Sequence, residues 1–271
     1  AVLAHRGPEG SGYHRDTHAQ LGHRRLGIVD LAGGSQPMYN EDRSLVAVYN
    51  GEIFNHAQLR APLERAGHRY QSRCDTELIL HACEEYGPGA LDRFRGMFSF
   101  ALWDQERRTL FCARDRLGIK PFYFYWDGRL LAFASEIKAL FEHPAVSPAP
   151  DASALAEYLA FGYLGGERTM FAGVRQLMPG HWLRLELNGG TPRPEIRQYW
   201  DAPKAPSAGA EAGDEDWTRQ CRERLEETVR MRLMSDVPLG MFLSGGVDSS
   251  VIAALMKRMV TGPVTTFSVG Y

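Results

Sequence analysis

Two parts of the chain carry side chains whose types and spacing suit chemistry on small polar ligands. The first is Phe242–Ser250, reading FLSGGVDSS. An apolar run delivers the backbone to Ser244, Gly245 and Gly246 let it approach a ligand closely, and a helix is expected to open near Asp248. N–H groups at a helix start, together with the positive end of its dipole, attract an anion. The hydroxyls of Ser244, Ser249 and Ser250 add donors. Asp248 would repel a bare phosphate, so its presence favours one bridged by Mg2+. A Walker loop is excluded, because Gly-Lys-Ser/Thr is missing. The second part is a set of three segments, Arg24–Asp30, Tyr49–His56 and Cys74–Leu80. Arg25 could grip an α-carboxylate with its planar fork, and Glu52 and Asp75 could take the α-ammonium. The Asn50 side-chain amide and the Gly51 backbone N–H could form an oxyanion hole. Each of these residues also has a plain structural reading. Asn-Gly makes a hairpin turn, an arginine before a strand is solvated, and Asp75 is a good helix N-cap.

The elements that must position these groups change character along the chain. Up to about Trp200, short apolar runs are broken by Gly, Asn and Asp. Ser44–Phe54 reads as a strand leading into a tight Asn-Gly turn, and Thr109–Asp115 and Leu130–Glu136 read as strands, with Trp126–Arg129 as a turn. Asp75–Gly87, Ser135–His143 and Asp151–Gly162 read as helices. Strands and helices that do not strictly alternate indicate an α+β layered domain. Asp201–Asp216 is rich in Ala, Pro, Gly and acid, which is the composition of a linker. Beyond it, Trp217, Cys221, Leu225, Val229 and Leu233 step by four along a long helix. A buried strand (237–243), a loop, a helix and a second strand (264–270) then make one βαβ unit with parallel strands.

Composition narrows the classes. The chain has 271 residues, 44 % apolar and 24 % charged, with 31 Lys plus Arg against 33 Asp plus Glu. That length suits about two domains, and the near-neutral balance argues against nucleic acid or an anionic membrane as a partner. The longest largely apolar run, Gly96–Trp103, falls well short of the ~20 residues a bilayer span needs, and no signal-peptide pattern opens the chain. Cys74, Cys83, Cys112 and Cys221 form no Cys-x-x-Cys pair, so neither a zinc knuckle nor a disulfide framework is expected, and reduced thiols point to the cytoplasm. His5, His14, His18 and His23 lack metal spacing on one helix. Arg114, Asp115 and Lys120 are expected to fix a loop by ion pairing, and Trp103, Trp126, Trp182, Trp200 and Trp217 to pack in the core or between domains.

The segments HRGPEGSG, HRRLGIVDLAGGSQP, NGEIFNH, CDTELIL, GMFSFALWD, RDRLGIKPFYF and FASEIKAL, in that order from His5 to Leu140, together resemble the amidotransferase domain of glutamine-hydrolysing asparagine synthetases. LMSDVPLGMFLSGGVDSS (233–250) and TFSVGY (266–271) resemble the start of the same family's synthetase domain, of ATP-pyrophosphatase type. Residues 156–185 are similar to amidotransferases found with exopolysaccharide systems. The resemblance implies a four-layer αββα N-terminal-nucleophile sandwich over 1–200, a linker over 201–216, and the first βαβ part of an α/β parallel-sheet domain over 217–271.

By the same resemblance, Arg25 with the Ile28 and Val29 backbone would bind the glutamine carboxylate, Glu52 and Asp75 its amine, and Asn50 and Gly51 the oxyanion. Leu243 and Val269 would flank the adenine of ATP, Ser244, Gly245, Gly246, Asp248, Ser249 and Ser250 would surround its pyrophosphate, and Asp248 would be a Mg2+ ligand. Glu9 stands where Asp is usual, and Phe54 and Phe122 replace commoner residues. Enzymes of this class attack glutamine with a cysteine at position one of the mature chain, its own α-amine serving as base. Ala1 has no nucleophile and the four cysteines are internal, so the sequence reads as a piece cut at both ends, lacking that cysteine and most of the synthetase domain. The implied activity is hydrolysis of glutamine to ammonia, coupled to ATP-dependent amidation of aspartate through an acyl-adenylate, giving AMP and pyrophosphate. A homodimer fits the family. The rival readings are a same-family enzyme acting on another carboxylate (a sugar acid or a peptidoglycan-type group), a β-lactam-synthetase-like protein with an inactive glutaminase domain, and a non-enzymatic binding module. Retention of Arg25, Asn50, Glu52 and Asp75 speaks against the inactive form.

Overall fold

The computed structural model of the protein describes residues 2–203 and 213–270. It divides into two compact units, Ala1–Gly27 with Ala32–Ala202, and Ile28–Leu31 with Pro203–Tyr271.

In the first unit, β1 (Gly10–Arg15) and β2 (Gln20–Arg25) form an antiparallel ribbon. A short β3 (Met38–Tyr39) leads to the nine-residue β4 (Leu45–Ile53), and α1 (His56–Ala66), α2 (Asp75–Tyr86) and the one-turn α3 (Ala90–Arg93) follow. Next come β5 (Gly96–Asp104), β6 (Thr109–Arg114), β7 (Tyr123–Trp126), β8 (Leu131–Ala134), α4 (Ile137–Leu140) and α5 (Ala152–Phe161). The unit ends with β9 (Val174–Gln176), β10 (His181–Glu186) and β11 (Glu195–Gln198).

Six strands make the central antiparallel sheet in the order β11-β10-β6-β5-β4-β3. Its strands are apolar on both faces, as a sheet buried from both sides requires. Ala47, Tyr49, Phe98, Phe100, Leu102 and Phe111 pack against Leu63 of α1 and Leu78 and Ile79 of α2. The alternate residues Val46, Val48, Ala101, Trp103 and Cys112 pack against Leu21 of β2 and Phe122 and Phe124 at β7. The three-stranded sheet β8-β7-β9 then turns Tyr123 and Tyr125 outward onto Leu140 and Ile137 of α4. Helices, sheet, sheet and helix give the expected α+β sandwich of four layers.

Four local expectations change. The Asn50–Gly51 pair makes no turn: β4 runs through it to Ile53, with Asn50 opposite Ser99 and Gly51 opposite Phe98 on β5. A Cβ on Gly51 would stand 2.2 Å from the Met97 carbonyl oxygen, so glycine is required there by close approach. Asp75 is the first helical residue and not the N-cap, which is Cys74, because the Asp75 carboxylate is engaged across the sheet by Tyr49 and Ile53. The expected helix Ser135–His143 shortens to the single turn α4. The 114–120 loop is fixed by backbone hydrogen bonds in place of ion pairs. Arg114 donates to the carbonyls of Gly118, Lys120 and Leu177, and the buried Asp115 carboxylate accepts from the N–H groups of Phe98, Leu117, Ile119 and Lys120.

The second unit contains α6 (Asp214–Met231), β12 (Gly240–Phe242), α7 (Val247–Met259) and β13 (Thr265–Phe267), with β12 and β13 parallel as expected for βαβ. Most of the expected linker, 204–212, lies outside the described residues, and Asp214–Asp216 already belong to α6. The apolar stripe is buried at one end only: Val229 joins Leu255 and Met256, with Leu225 and Leu233 beside them, while Trp217 is exposed. The strand expected to be buried is exposed at Phe242, because the two-stranded sheet is covered on one side only. Residues Ile28–Leu31 group with this unit through Asp236, whose N–H donates to the Ile28 carbonyl and whose carboxylate accepts from Asp30 N–H at 2.7 Å.

Each buried donor left unsatisfied costs about 1–3 kcal/mol. Asp115→Ala, which strips an acceptor from four of them, is therefore expected to lower unfolding stability by about 3 kcal/mol or more in urea titrations. A loss below about 1 kcal/mol would contradict that role.

Candidate active site

The candidate site residues of the first unit are organised around β4. Phe98 directs its own N–H and carbonyl to Asp115, so Gly51 and Phe98 are a pair that does not exchange hydrogen bonds, and the Gly51 N–H points away from β5. Tyr49 and Ile53 share that direction along the strand. Their N–H groups find side-chain acceptors there, Gln36 Oε1 at 2.7 Å and Asp75 Oδ2 at 2.8 Å. The outer neighbour β3 pairs only with Val46 and Ala47, so the sheet offers no strand partner to the Gly51 N–H between them.

Asn50 and Glu52 project from the opposite face to Tyr49 and Ile53, as alternation requires. The Asn50 amide nitrogen, Nδ2, is buried and has no hydrogen-bond partner among the described residues. An unsatisfied buried donor is costly in an empty protein and useful where negative charge will develop. Nδ2 of Asn50 and the Gly51 N–H are therefore two donors on adjacent residues, a candidate notch.

Asp75 is buried beneath the strand. Its Oδ2 accepts from the Tyr49 hydroxyl at 2.7 Å and from Ile53 N–H, and its Oδ1 has the Cys74 thiol at 3.6 Å. Burial first, and then the Asp75 charge, raise the Tyr49 phenol well above its ordinary value, so it stays a donor. Arg25 ends β2, whose His23 reaches the Tyr49 carbonyl at 3.1 Å through Nε2. Two residues on, Arg25 lies on the same strand face about 6.6 Å further along. Its charge is felt at His23. Gly7 permits this placement, since a Cβ there would stand 2.3 Å from the Arg24 carbonyl carbon, and Arg24 Nε bonds the Gly7 carbonyl. Arg25, Asn50, Gly51, Glu52 and Asp75 thus sit on β2, β4 and the first turn of α2, all in one unit. Ile28 and Val29 group with the other unit, so the expectation that their backbone lines the pocket continues to rest on the resemblance.

Among the cysteines none is a poised thiolate in this unit. Burial pushes the Cys74 thiol up to about 11, with Asp75 adding to the effect, pushes Cys83 up to about 12, and raises Cys112 further. Cys221 is an exposed residue of α6. Sequence reasoning missed Tyr49 and Gln36, which set the edge of the notch. Tyr49 has a signal in its position beside Asn50, while Gln36, which also bonds Thr76 Oγ1 at 3.2 Å, has none.

In the second unit the 243–250 loop leaves the end of β12 with Leu243 N–H bonded to the Phe267 carbonyl. Gly245 takes φ +80°, and a Cβ there would meet nothing within 4 Å. Gly246 caps the thirteen-residue α7, Ser249 and Ser244 hydroxyls lie 3.1 Å apart, and Ser250 Oγ bonds the Gly246 carbonyl. Asp248 is exposed on the first turn of α7, and Val269 is exposed beyond β13. An open backbone cradle at a helix start, with hydroxyls and one carboxylate, fits a nucleotide phosphate with its Mg2+.

Burial holds the His23 imidazole below its ordinary 6.5, against the opposing Tyr49 carbonyl and with help from Arg25. The folded state therefore binds fewer protons there than the unfolded one, and stability present above the ordinary value is lost as pH falls below it. Wild type is expected to lose more stability than His23→Gln between about pH 7.5 and 5.5 in urea titrations. Equal losses would contradict the assignment.

Comparison with known proteins adds the following. Residues 1–200 match the family described as "Glutamine amidotransferase domain", and residues 220–271 match "Asparagine synthase". Asparagine synthetase [glutamine-hydrolyzing] 3 of Bacillus subtilis is 37 % identical over all of this chain and 44 % of its own length. Asparagine synthetase [glutamine-hydrolyzing] of Zea mays is 38 % identical over 94 % of this chain and 38 % of its own length. Amidase chry2 of Gibberella zeae is 35 % identical over 96 % and 38 %. The chain thus spans less than half the length of these relatives. A solved glutamine PRPP amidotransferase from B. subtilis aligns at TM-score 0.46 and 18 % identity, over 92 % of this chain and 51 % of that one. With the larger match covering the whole unit that holds the notch, the chain belongs to the glutamine amidotransferase domain family, continued from residue 220 by a stretch of asparagine synthase type.

Proposed function

We propose that the first unit binds glutamine and takes part in releasing ammonia from its side-chain amide, and that the second unit belongs to an ATP-dependent site where that ammonia amidates a carboxylate, in the simplest case aspartate. The carrying observation is the Asn50 amide, buried and unsatisfied beside the outward Gly51 N–H.

In this reading Arg25 pairs with the glutamine α-carboxylate, and Glu52 and Asp75 receive the α-ammonium. The side-chain carbonyl oxygen then lies at the notch. Attack of a thiolate on that carbon forms a C–S bond and moves the C=O electron pair to oxygen, where Asn50 Nδ2 and Gly51 N–H meet the charge. Collapse expels the nitrogen as ammonia once it has been protonated, leaving a thioester that water hydrolyses to glutamate. The attacking thiol is none of the three first-unit cysteines, whose burial keeps them protonated. At the other site Ser244, Gly245, Gly246, Ser249 and Ser250 would hold ATP phosphates, Leu243 and Val269 the adenine, and Asp248 the Mg2+. ATP bound there supplies an adenylyl group that activates the acceptor carboxylate, with pyrophosphate leaving. The free-thiol reading and the composition fit the cytoplasm, and among the described residues no helix is long and apolar enough to cross a membrane.

One oxyanion donor is worth about 10²–10³ in rate. In any form of the protein that hydrolyses glutamine, Asn50→Ala is expected to cut glutaminase kcat by about that factor while synthesis from added ammonium persists. Unchanged glutamine hydrolysis would refute the notch. Asp248→Ala is expected to do the reverse, abolishing ATP-dependent pyrophosphate release and sparing glutaminase activity. Normal pyrophosphate release in that variant would count against its metal role.

A further inference from the structure

On the far side of α2 from Asp75, four side chains from three parts of the first unit converge. Glu41 comes from the turn between β3 and β4, His68 from the connection after α1, and His81 and Glu84 from successive positions on one face of α2. We propose that Glu41, His68, His81 and Glu84 form a binding site for a divalent transition-metal ion of the Zn2+ class.

The geometry is close to what such an ion demands. The four ligand atoms all lie within 4.8 Å of one another. His81 Nδ1 is 3.3 Å from Glu41 Oε2, and His68 Nδ1 is 3.8 Å from Glu84 Oε2 and 3.9 Å from Glu41 Oε1. Four ligands at the usual Zn–N and Zn–O distances of about 2.0–2.1 Å have edges of about 3.3–3.4 Å. The shortest edge already has that length, and the widest needs a contraction of roughly 1.4 Å, which the exposed carboxylates on the rim can supply. Two imidazoles with two carboxylates suit Zn2+ and its neighbours over Mg2+ or Ca2+, which take oxygen ligands.

An independent observation comes from His81 itself. It is 0 % exposed, and neither ring nitrogen has a hydrogen-bond partner among the described residues. Each nitrogen faces a carboxylate, Glu41 at 3.3 Å and Glu77 at 3.7 Å, without hydrogen-bond geometry, an arrangement that leaves a fully buried ring poorly satisfied in a metal-free protein. A metal on Nδ1 satisfies the first. The second, Nε2, then carries the proton and faces Glu77 Oε1 at 3.7 Å, a small rotation from the carboxylate–histidine–metal arrangement that orients such ligands. Glu77 is itself held in place by the N–H groups of Gln71 and Ser72 and by the Ser72 hydroxyl. The rim ligands are likewise oriented, Glu41 by Arg69 N–H at 3.2 Å and Glu84 by the Asn40 amide at 3.4 Å. Such an ion would tie the β3–β4 turn and the α1–α2 connection to the helix that presents Asp75 to the pocket.

The experiment uses the whole chain without an affinity tag of histidines, stripped with chelator and dialysed. Calorimetric titration with Zn2+ is expected to show one ion bound per chain with micromolar or tighter affinity and a raised Tm. Co2+ should give the intense visible bands of a four-coordinate site. Because His81→Gln removes a buried ring and can unfold the protein, the deciding variants are His68→Gln and Glu84→Gln at more accessible positions. Each is expected to weaken Zn2+ binding tenfold or more while keeping the wild-type circular dichroism spectrum. No uptake of Zn2+ by the folded wild type would overturn the proposal. Unchanged affinity in both variants would overturn it equally.

Discussion

One buried carboxylate, that of Asp75, organises the candidate site. Asp75 opens α2 and at the same time accepts hydrogen bonds from the Tyr49 hydroxyl and the Ile53 N–H of β4. These contacts bracket Asn50, Gly51 and Glu52 on a strand already anchored to β5 along nine residues. A strand so fixed cannot relax to bring the Asn50 amide to a protein acceptor, and the Gly51 N–H is aimed where the sheet has ended. The Asn50 amide is thus held without a partner by its supports, which is the pre-organisation that the proposed oxyanion role requires.

The rest of the sandwich serves that rigidity. Both faces of the central sheet are packed, by helices on one side and by the second sheet on the other, so β4 has no freedom to twist or slip. Asp115 adds a second clamp: by drawing the Phe98 N–H away from β4 it determines which way the Gly51 N–H points. The 114–120 loop can therefore act on β4 without touching any ligand. The proposed metal site of Glu41, His68, His81 and Glu84 would add a constraint on the helix that presents Asp75.

Much of this was legible in the sequence, and the failures have definite causes. Apolar, β-branched and aromatic runs located β4, β6 and β8, and the serine–glycine loop with its flanking strand and helix located the βαβ unit, because these signals are local. Asn-Gly was misread as a turn because its local preference is overridden: Gly51 is there to let β5 approach, and nothing short-range records that. Asp75 looked like a cap for the same reason, its real partners lying more than twenty residues back on another element. Gln36 and the His68–His81 pair carry no pattern at all, since only the tertiary fold sets them beside Tyr49 and beside one another. Arg25, Glu52 and Asp248 were singled out by residue type and position, and only the resemblance to a family weighed that reading against solvated or capping roles.

The most direct test is a crystal structure of the chain soaked with glutamine. The side-chain carbonyl oxygen should lie within hydrogen-bond distance of Asn50 Nδ2 and the Gly51 nitrogen, with the α-carboxylate on Arg25. Glutamine bound with its amide turned away from β4, or occupying a different part of the unit, would contradict the account.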